Sequence, residues 1–391
     1  MKSNRIQGLV QSDIRRMSRE CARVGGINLG QGICDLPAPP EVLECTIEAV
    51  RQDLSTYSKF EGVDEFRQQI AKKVTRYNGR PTDPDREVVA TIGSTGAFAA
   101  TCQALFNPGD EVILFEPYYG YHLNTLLVSG CVPRFVTLDP PLAPVTRAML
   151  EAVKTERTRA IVVCTPCNPS GKIFTQADLE EIAGFCQENN ILAITDEIYE
   201  YILYDGRKHI SLVSLPGMKE RTVAISGFSK TFSITGWRLG YAVAPPELAG
   251  PIGLVHDLFY VCAPTPLQHG VARAMERLDD AYYESLRGIY QAKRDLFCKT
   301  LDEVGLTAHW PQGAYYVLAD VSALLGRVAD DREASMFVLE NVGVASVPGS
   351  AFFQGDAGKR LIRFCFAKEM GVLEEACERL RGLRPYLRAS Q

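Results

Sequence analysis

The chain has 391 residues, 46% hydrophobic and 23% charged, which is enough apolar material for a sizeable core and, at roughly 150 residues each, for two or three domains. Forty-two Lys and Arg against 47 Asp and Glu leave a formal charge of −5; a nucleic-acid binder would carry a basic excess, so that class is excluded. No apolar stretch approaches the ~18 residues needed to cross a bilayer, so a membrane partner is not expected either.

The opening segment, MKSNRIQGLVQSDIRRMSRECARVGG, has no apolar core of the kind a secretory signal needs. Asp13 and Glu20 count against a mitochondrial presequence, and an ordinary N-terminal arm is expected. Next comes a rhythm of short apolar runs and helical patterns. EVVATI (87–92) reads as a strand, STGAFAATCQALF as a helix, NPGD as a turn, and EVILFEP (111–117) as the next strand. RAIVVCTP (159–166), a helix over about Asp178–Asn189, ILAITDE (191–197) and TVAISG (222–227) continue it. Strands alternating with helices imply a parallel sheet with crossover helices. AIVVC and ILAIT are apolar without alternation, as strands covered on both faces are.

After about residue 275 the pattern changes. A long charged helix (about Asp279–Glu303) leads into AYYVLADV and GVASVP. The fold expected is therefore α/β: a large domain over 48–280 with a mostly parallel sheet covered by helices, beside a smaller discontinuous α+β domain. Residues 281–391 form most of the small domain, and 1–47 supply an arm and the rest. Open α/β sheets bind ligands at the carboxyl ends of their strands, and the unusual residues fall there.

The first is a lysine following a strand, in SGFSKTFSITGWRLG (226–240), with Arg238 eight positions after Lys230. The density of G-F-S-K and T-G-W-R-L-G resembles the lysine signature of class I/II aminotransferases, of the aspartate, aromatic and kynurenine type, within the fold-type I pyridoxal-phosphate (PLP) enzymes. The resemblance implies that Lys230 forms the Schiff base with PLP and that Arg238 grips its phosphate. An amine in a dry pocket near a cation has a lowered pKa and suits that task; a guanidinium fork matches phosphate oxygens. Gly227 stands where many relatives carry a phosphate-binding serine, and the resemblance leaves open which neighbouring hydroxyl replaces it.

The same resemblance assigns further residues in chain order. Tyr57 in TYSKFEG matches a tyrosine that reaches the cofactor phosphate of a neighbouring subunit, implying a homodimer with shared sites. Ser94 and Thr95 lie in TIGSTGAFAA (91–100), at a strand-to-helix turn suited to phosphate. Tyr119 in FEPYYGYH matches the ring that stacks on the pyridine. Asn168 in CNPSGK and Tyr199 in ITDEIYE match residues that hydrogen-bond the cofactor's 3′ oxygen, with Asn168 also near the substrate. Asp196 matches the carboxylate that keeps the pyridine nitrogen protonated. Arg363, in the apolar run LIRFCF, matches the arginine that binds the substrate's α-carboxylate, and the backbone near Gly32 in INLGQGICDLP meets the same group.

Other patterns carry less. CTPC (164–167) lacks a second pair, so neither a metal site nor a redox site is expected. NPSGK lacks the glycine spacing of a Walker A loop. The five histidines form no cluster; His122 and His269 read as packing or hydrogen-bonding residues. DDREAS (330–335) reads as a solvated helix start. Twelve cysteines show no regular spacing, and as free thiols packed like small hydrophobes they point to a reducing cytoplasm.

The expected function is transfer of an amino group from an L-amino acid to a 2-oxo acid by a ping-pong route. Thr95, in the region where some aspartate-using relatives carry a lysine, favours neutral, aromatic, Met-like or Gln-like donors, with an acceptor such as 2-oxoglutarate or pyruvate. A C–S β-lyase on the same fold is the rival enzyme. A PLP-sensing transcription regulator would need a DNA-binding domain, of which the opening residues give no sign.

Overall fold

The computed structural model describes residues 13–387 together with Ser3, Ile6 and Leu9. The remaining residues of the expected arm before Asp13, and residues 388–391, lie outside the described residues. The chain begins with α1 (Asp13–Val24), β1 (Ile27–Asn28), α2 (Pro40–Arg51) and α3 (Asp64–Tyr77). Alternation follows: β2 (Val88–Ile92), α4 (Gly93–Leu105), β3 (Glu111–Glu116), α5 (Gly120–Val128), β4 (Val132–Thr137), α6 (Arg147–Val153), β5 (Thr158–Cys164), α7 (Gln176–Asn189), β6 (Leu192–Asp196), β7 (Thr222–Gly227) and β8 (Leu239–Val243). Then come α8 (Pro246–Tyr260), α9 (Thr265–Arg277), α10 (Asp280–Val304), β9 (Thr307–His309), β10 (Tyr316–Asp320), α11 (Asp331–Val342), β11 (Val344–Ala345), β12 (Val347–Pro348), β13 (Leu361–Cys365) and α12 (Met370–Arg381).

Seven strands form one sheet in the order β2-β8-β7-β6-β5-β3-β4. β8 is antiparallel to both neighbours, and the β3–β4, β3–β5, β5–β6 and β6–β7 pairs are parallel. Successive side chains of a strand point to opposite faces, and here both faces are covered. In β5, Ala160 and Val162 join one apolar cluster while Ile161 and Val163 join another. β3 divides Val112 and Leu114 from Ile113 and Phe115 in the same way. Two buried faces are why these runs show no polar alternation.

A four-stranded antiparallel sheet, β12-β13-β10-β9, carries the later part of the chain. α10 and α12 close its core with Phe297, Leu301, Leu373 and Leu380 against Val317 and Phe364. β1 pairs in parallel with β11, Ile27 opposite Val344, which ties the first segment to this later part. The fold class is the α/β architecture expected from sequence, a mostly parallel sheet covered by helices with a smaller antiparallel sheet beside it. No helix among the described residues is long and apolar enough to cross a membrane.

Local details depart from the sequence reading. VPRFVT and LGYAV are additional strands, β4 and β8. β4 lies at the sheet edge, half exposed, so its apolar signal is weak. α7 starts at Gln176, before Asp178, because Thr175 caps it: Thr175 Oγ1 accepts from Asp178 N at 3.2 Å while Asp178 Oδ2 accepts from Thr175 N at 2.9 Å. DDREAS is not wholly solvated. Asp330 caps α11, but Asp331 turns inward and accepts from Ser350 N at 2.7 Å, and Ser335 is fully buried.

Candidate active site

A cleft of about 290 Å³ opens at the carboxyl edge of the large sheet. Gly32, Ser94, Thr95, Tyr119, Asn168, Asp196, Tyr199, Lys230, Arg238 and Arg363 all line it. Topology explains the convergence. Thr95, Tyr119, Asn168, Asp196 and Lys230 lie at or just after the ends of β2, β3, β5, β6 and β7. Arg238 precedes β8, and because β8 runs antiparallel its start reaches the same edge. Tyr57 is the exception: it does not line the cleft and is 81% exposed.

One end of the cleft could hold a phosphate. α4 begins at Gly93 with no side-chain cap, so its first N–H groups have no intrahelical partner and its positive dipole end faces the cleft. Arg238 packs directly against this turn: a Cβ on Gly93 would lie 2.6 Å from its Nη2, and Gly93 sits at φ +66. Arg238 itself is held left-handed at φ 58, with Nη1 donating to Thr235 O at 2.9 Å. For a side-chain-bearing residue that backbone costs about 1–3 kcal/mol, a strain concentrated at functional sites. Of the two serines flanking Gly227 and Phe228, Ser229 lines the cleft. Ser226 faces away, donating to Glu200 Oε1 at 2.8 Å.

In the middle lies Lys230, whose Nζ donates to Gly32 O at 3.4 Å and sits 5.5 Å from the Tyr315 ring centre and 5.9 Å from that of Tyr199. Burial holds its amine below the usual lysine range; Arg238 pushes the same way, against Cys365 and Cys34. Asp196 ends β6 and is buried; its Oδ2 meets His122 Nε2 at 2.9 Å and its Oδ1 accepts from Ile198 N at 3.3 Å. Tyr199's hydroxyl contacts that of Tyr316 at 3.1 Å, and burial pushes Tyr199 well above the ordinary phenol range. Burial also pushes Tyr316 up, to about 12, so both hydroxyls keep their protons at neutral pH. Tyr119 stands over the cleft beside Tyr121, ring centres 5.3 Å apart.

The other end could hold a carboxylate. Arg363, on β13, is only 1% exposed. Its Nη1 donates to Asn168 Oδ1 at 3.0 Å and its Nη2 to Gly30 O at 2.5 Å. Its guanidinium lies 4.5 Å from the Tyr316 ring centre and 4.9 Å from that of Phe352. No carboxylate is bonded to it among the described residues, and its Nε has no partner. A buried cation without a counter-ion is costly, and an anionic ligand would relieve that. Gly32 closes the wall: a Cβ there would run into the Tyr316 hydroxyl at 1.9 Å.

Several contributors escaped the sequence reading. Ser229, Tyr316 and Thr235 line the cleft. His122 was read as a packing or hydrogen-bonding residue, and its bond goes to Asp196. His256 on α8 accepts from Ile92 N at 3.0 Å and so holds the β2–α4 turn. No local motif marks these residues, because their partners are far away in sequence. Glu197, Glu200 and His209 come close enough to hold a metal, yet each is engaged: Lys73 Nζ lies 2.5 Å from Glu200 and His209 Nε2 2.8 Å from Glu197. All twelve cysteines are free, Cys164 and Cys167 included.

Residues 24–380 match the family model described as Aminotransferase class I and II. Kynurenine--oxoglutarate transaminase 1 of Homo sapiens is 34% identical over 386 residues, covering 91% of this chain and 92% of that protein. Methionine aminotransferase of Escherichia coli (strain K12) is 35% identical over 368 residues, covering 94% and 95%. Among solved structures, N-succinyldiaminopimelate aminotransferase from Mycobacterium tuberculosis gives a TM-score of 0.93 at 34% identity, covering 97% of this chain and 99% of that one.

Proposed function

The chain belongs to the class I and II aminotransferase family and is a PLP-dependent enzyme that moves amino groups between amino acids and 2-oxo acids; from that premise we propose the role of each residue in the cleft. The observation that carries the assignment is a half-buried Lys230, without an ion pair among the described residues, in one cleft with Asp196, Arg238 and Arg363. The site's own chemistry fits the cofactor, with an uncapped helix start beside Arg238 for the phosphate and a carboxylate for the ring nitrogen. Bound there, PLP supplies a carbonyl carbon that condenses with amines and a ring that accepts the electron pair freed at the substrate's Cα.

Lys230 would hold the cofactor through Nζ, and once free the same nitrogen would carry the proton taken from the substrate's Cα. Burial lowers its pKa, which favours the unprotonated amine that both tasks need. Asp196 holds the proton on the ring nitrogen, and His122 keeps that carboxylate in place. Tyr199 and the Asn168 amide donate to the 3′ oxygen, since Asn168 Oδ1 is already used by Arg363. Tyr119 covers one face of the ring. The α4 start, Ser94, Thr95, Ser229 and Arg238 bind the phosphate, while Arg363 and the backbone at Gly32 orient the α-carboxylate.

We read Tyr57 as reaching the phosphate in a second copy of the chain, which makes the active form a homodimer; its exposure supports this. Sedimentation should give a dimer, and Tyr57→Phe should weaken cofactor binding. The two main sheets support a cofactor-binding domain over 48–280, with 281–391 and the first 47 residues forming a smaller one. Twelve free thiols support a cytoplasmic location.

Donor side chains have a second chamber of about 380 Å³, which shares Ile14, Tyr119 and Tyr121 with the cleft. Leu123, Leu127, Phe135 and Phe352 make much of its wall apolar, and its two charged side chains, Asp13 and Arg332, pair with each other at 3.1 Å, which favours neutral and aromatic amino acids. The test is spectroscopic. Without an acceptor, the long-wavelength band of the holoenzyme should fall as a near-ultraviolet band grows, fastest with neutral or aromatic donors. A higher kcat/KM for aspartate would overturn the donor class. Accumulating ammonia and oxo acid with a persistent long-wavelength band would give elimination instead.

His256 provides a check on the phosphate end. Burial pushes its imidazole down to about 4 from 6.5, so it stays neutral and accepts from Ile92 N. Between those values the unfolded chain binds more protons than the fold, so stability falls as pH drops from 6.5 to about 4. His256→Phe leaves the Ile92 N–H unpaired and should weaken PLP binding about 5- to 30-fold in a spectral titration. His256→Gln, which keeps an acceptor, should recover most of it.

A further inference from the structure

Only five charged side chains line the cofactor cleft among the described residues: Arg15, Asp196, Lys230, Arg238 and Arg363. Within the proposed function all but one have a counterpart. Asp196 faces the ring nitrogen, Lys230 is consumed in the covalent link, Arg238 meets the phosphate and Arg363 the α-carboxylate. Arg15 is left over. The acids on its own helix are spent elsewhere: Asp13 pairs with Arg16 at 3.2 Å and Arg332 at 3.1 Å, and Glu20 with Arg23 at 2.8 Å. Arg15 itself makes no hydrogen bond or ion pair among the described residues.

Its position is as telling as its charge. Arg15 follows Ile14, which lines both the cleft and the apolar chamber, and it shares the cleft wall with Gln31, Ile33 and Tyr121. The site therefore has two surroundings for whatever extends beyond the α-carbon, an apolar chamber and a rim bearing an unpaired guanidinium. A ping-pong enzyme must admit two different substrates at one site in turn, both anchored by the same α-carboxylate.

Resting on the aminotransferase assignment above, we propose that Arg15 binds the distal carboxylate of the amino acceptor, and hence that the acceptor is a dicarboxylic 2-oxo acid. Arg363 and Arg15 then clamp the two ends of that acid, while a neutral donor side chain enters the apolar chamber and leaves Arg15 in water. A guanidinium pairs with a carboxylate through two parallel N–H bonds, and a lysine in its place keeps the charge but loses the fork.

The test uses the holoenzyme first converted to its pyridoxamine form by a neutral donor, then mixed with either 2-oxoglutarate or 2-oxopentanoate, which has the same chain length but no distal carboxylate. Arg15→Met should lower the second-order rate constant for 2-oxoglutarate roughly 10- to 100-fold, the range expected for a charge-assisted bond. The loss should be confined to that acid, and Arg15→Lys should fall between. An equal loss with both acids would make Arg15 a cover for the site, and no loss with either would make it a solvated side chain; each overturns the proposal. Failure of the wild-type holoenzyme to form any pyridoxamine species would instead overturn the transamination reading beneath it.

Discussion

Lys230→Ala should abolish transamination, lowering kcat by upward of about 10⁴-fold, because one nitrogen serves both as the attacking amine and as the proton carrier. The fold should survive. Lys230 Nζ makes a single 3.4 Å bond to Gly32 O and has no ion-pair partner among the described residues. Removing a half-buried amine whose charged form is disfavoured relieves a desolvation cost, so the thermal midpoint should hold or rise. Lys230→Arg should be as inactive as the alanine variant, since a guanidinium stays protonated and cannot attack a carbonyl carbon. The two variants separate charge from nucleophilicity. Substantial turnover in either would remove Lys230 from the chemistry.

Asp196→Asn should lower kcat about 10²- to 10⁴-fold with little change in substrate KM, because an amide of the same shape cannot hold a proton on the ring nitrogen by charge. Asn keeps one acceptor: its oxygen can serve Ile198 N, which lies 3.3 Å from Asp196 Oδ1, while its NH2 donates to His122 Nε2, 2.9 Å from Asp196 Oδ2, with the ring in its other tautomer. Asp196→Ala removes both acceptors. His122 is only 4% exposed, so an unpaired ring nitrogen should cost about 1–3 kcal/mol of stability in addition to the catalytic loss. Denaturant unfolding alongside steady-state kinetics distinguishes the two effects. If Asp196→Asn keeps kcat within about tenfold, the carboxylate is there for the fold alone.

The readable residues were those whose meaning is local. Lys230 and Arg238 stand in one short segment, so their spacing carries the resemblance without any knowledge of the fold. Arg363 was legible because a charge inside LIRFCF contradicts its surroundings, and it proves 1% exposed. The same logic failed at DDREAS, where Asp331 looks like part of a solvated acidic run. What keeps it inside is a bond to Ser350 N, nineteen positions later.

Long-range partners were not legible. Which serine replaces the missing hydroxyl beside Lys230 depends on which way β7's last residues turn, and Ser226 turns toward Glu200. His122 and Asp196 are 74 positions apart, and Ile92 and His256 are 164 apart. No periodicity links such pairs.

By itself the sequence determined the α/β class, the strands that form the centre of the sheet, the cofactor and most of the residues that meet in one cleft. Apolar periodicity and strand-end motifs are written in consecutive residues, and each is imposed by backbone geometry within a few positions. Only the tertiary structure decided that β8 runs antiparallel and so delivers Arg238 to the same edge as Lys230, and that Arg15 stands in the cleft without a counter-ion among the described residues. A charge's partner is set by which strand and helix ends meet in space, and that juxtaposition arises only when both faces of the sheet are packed.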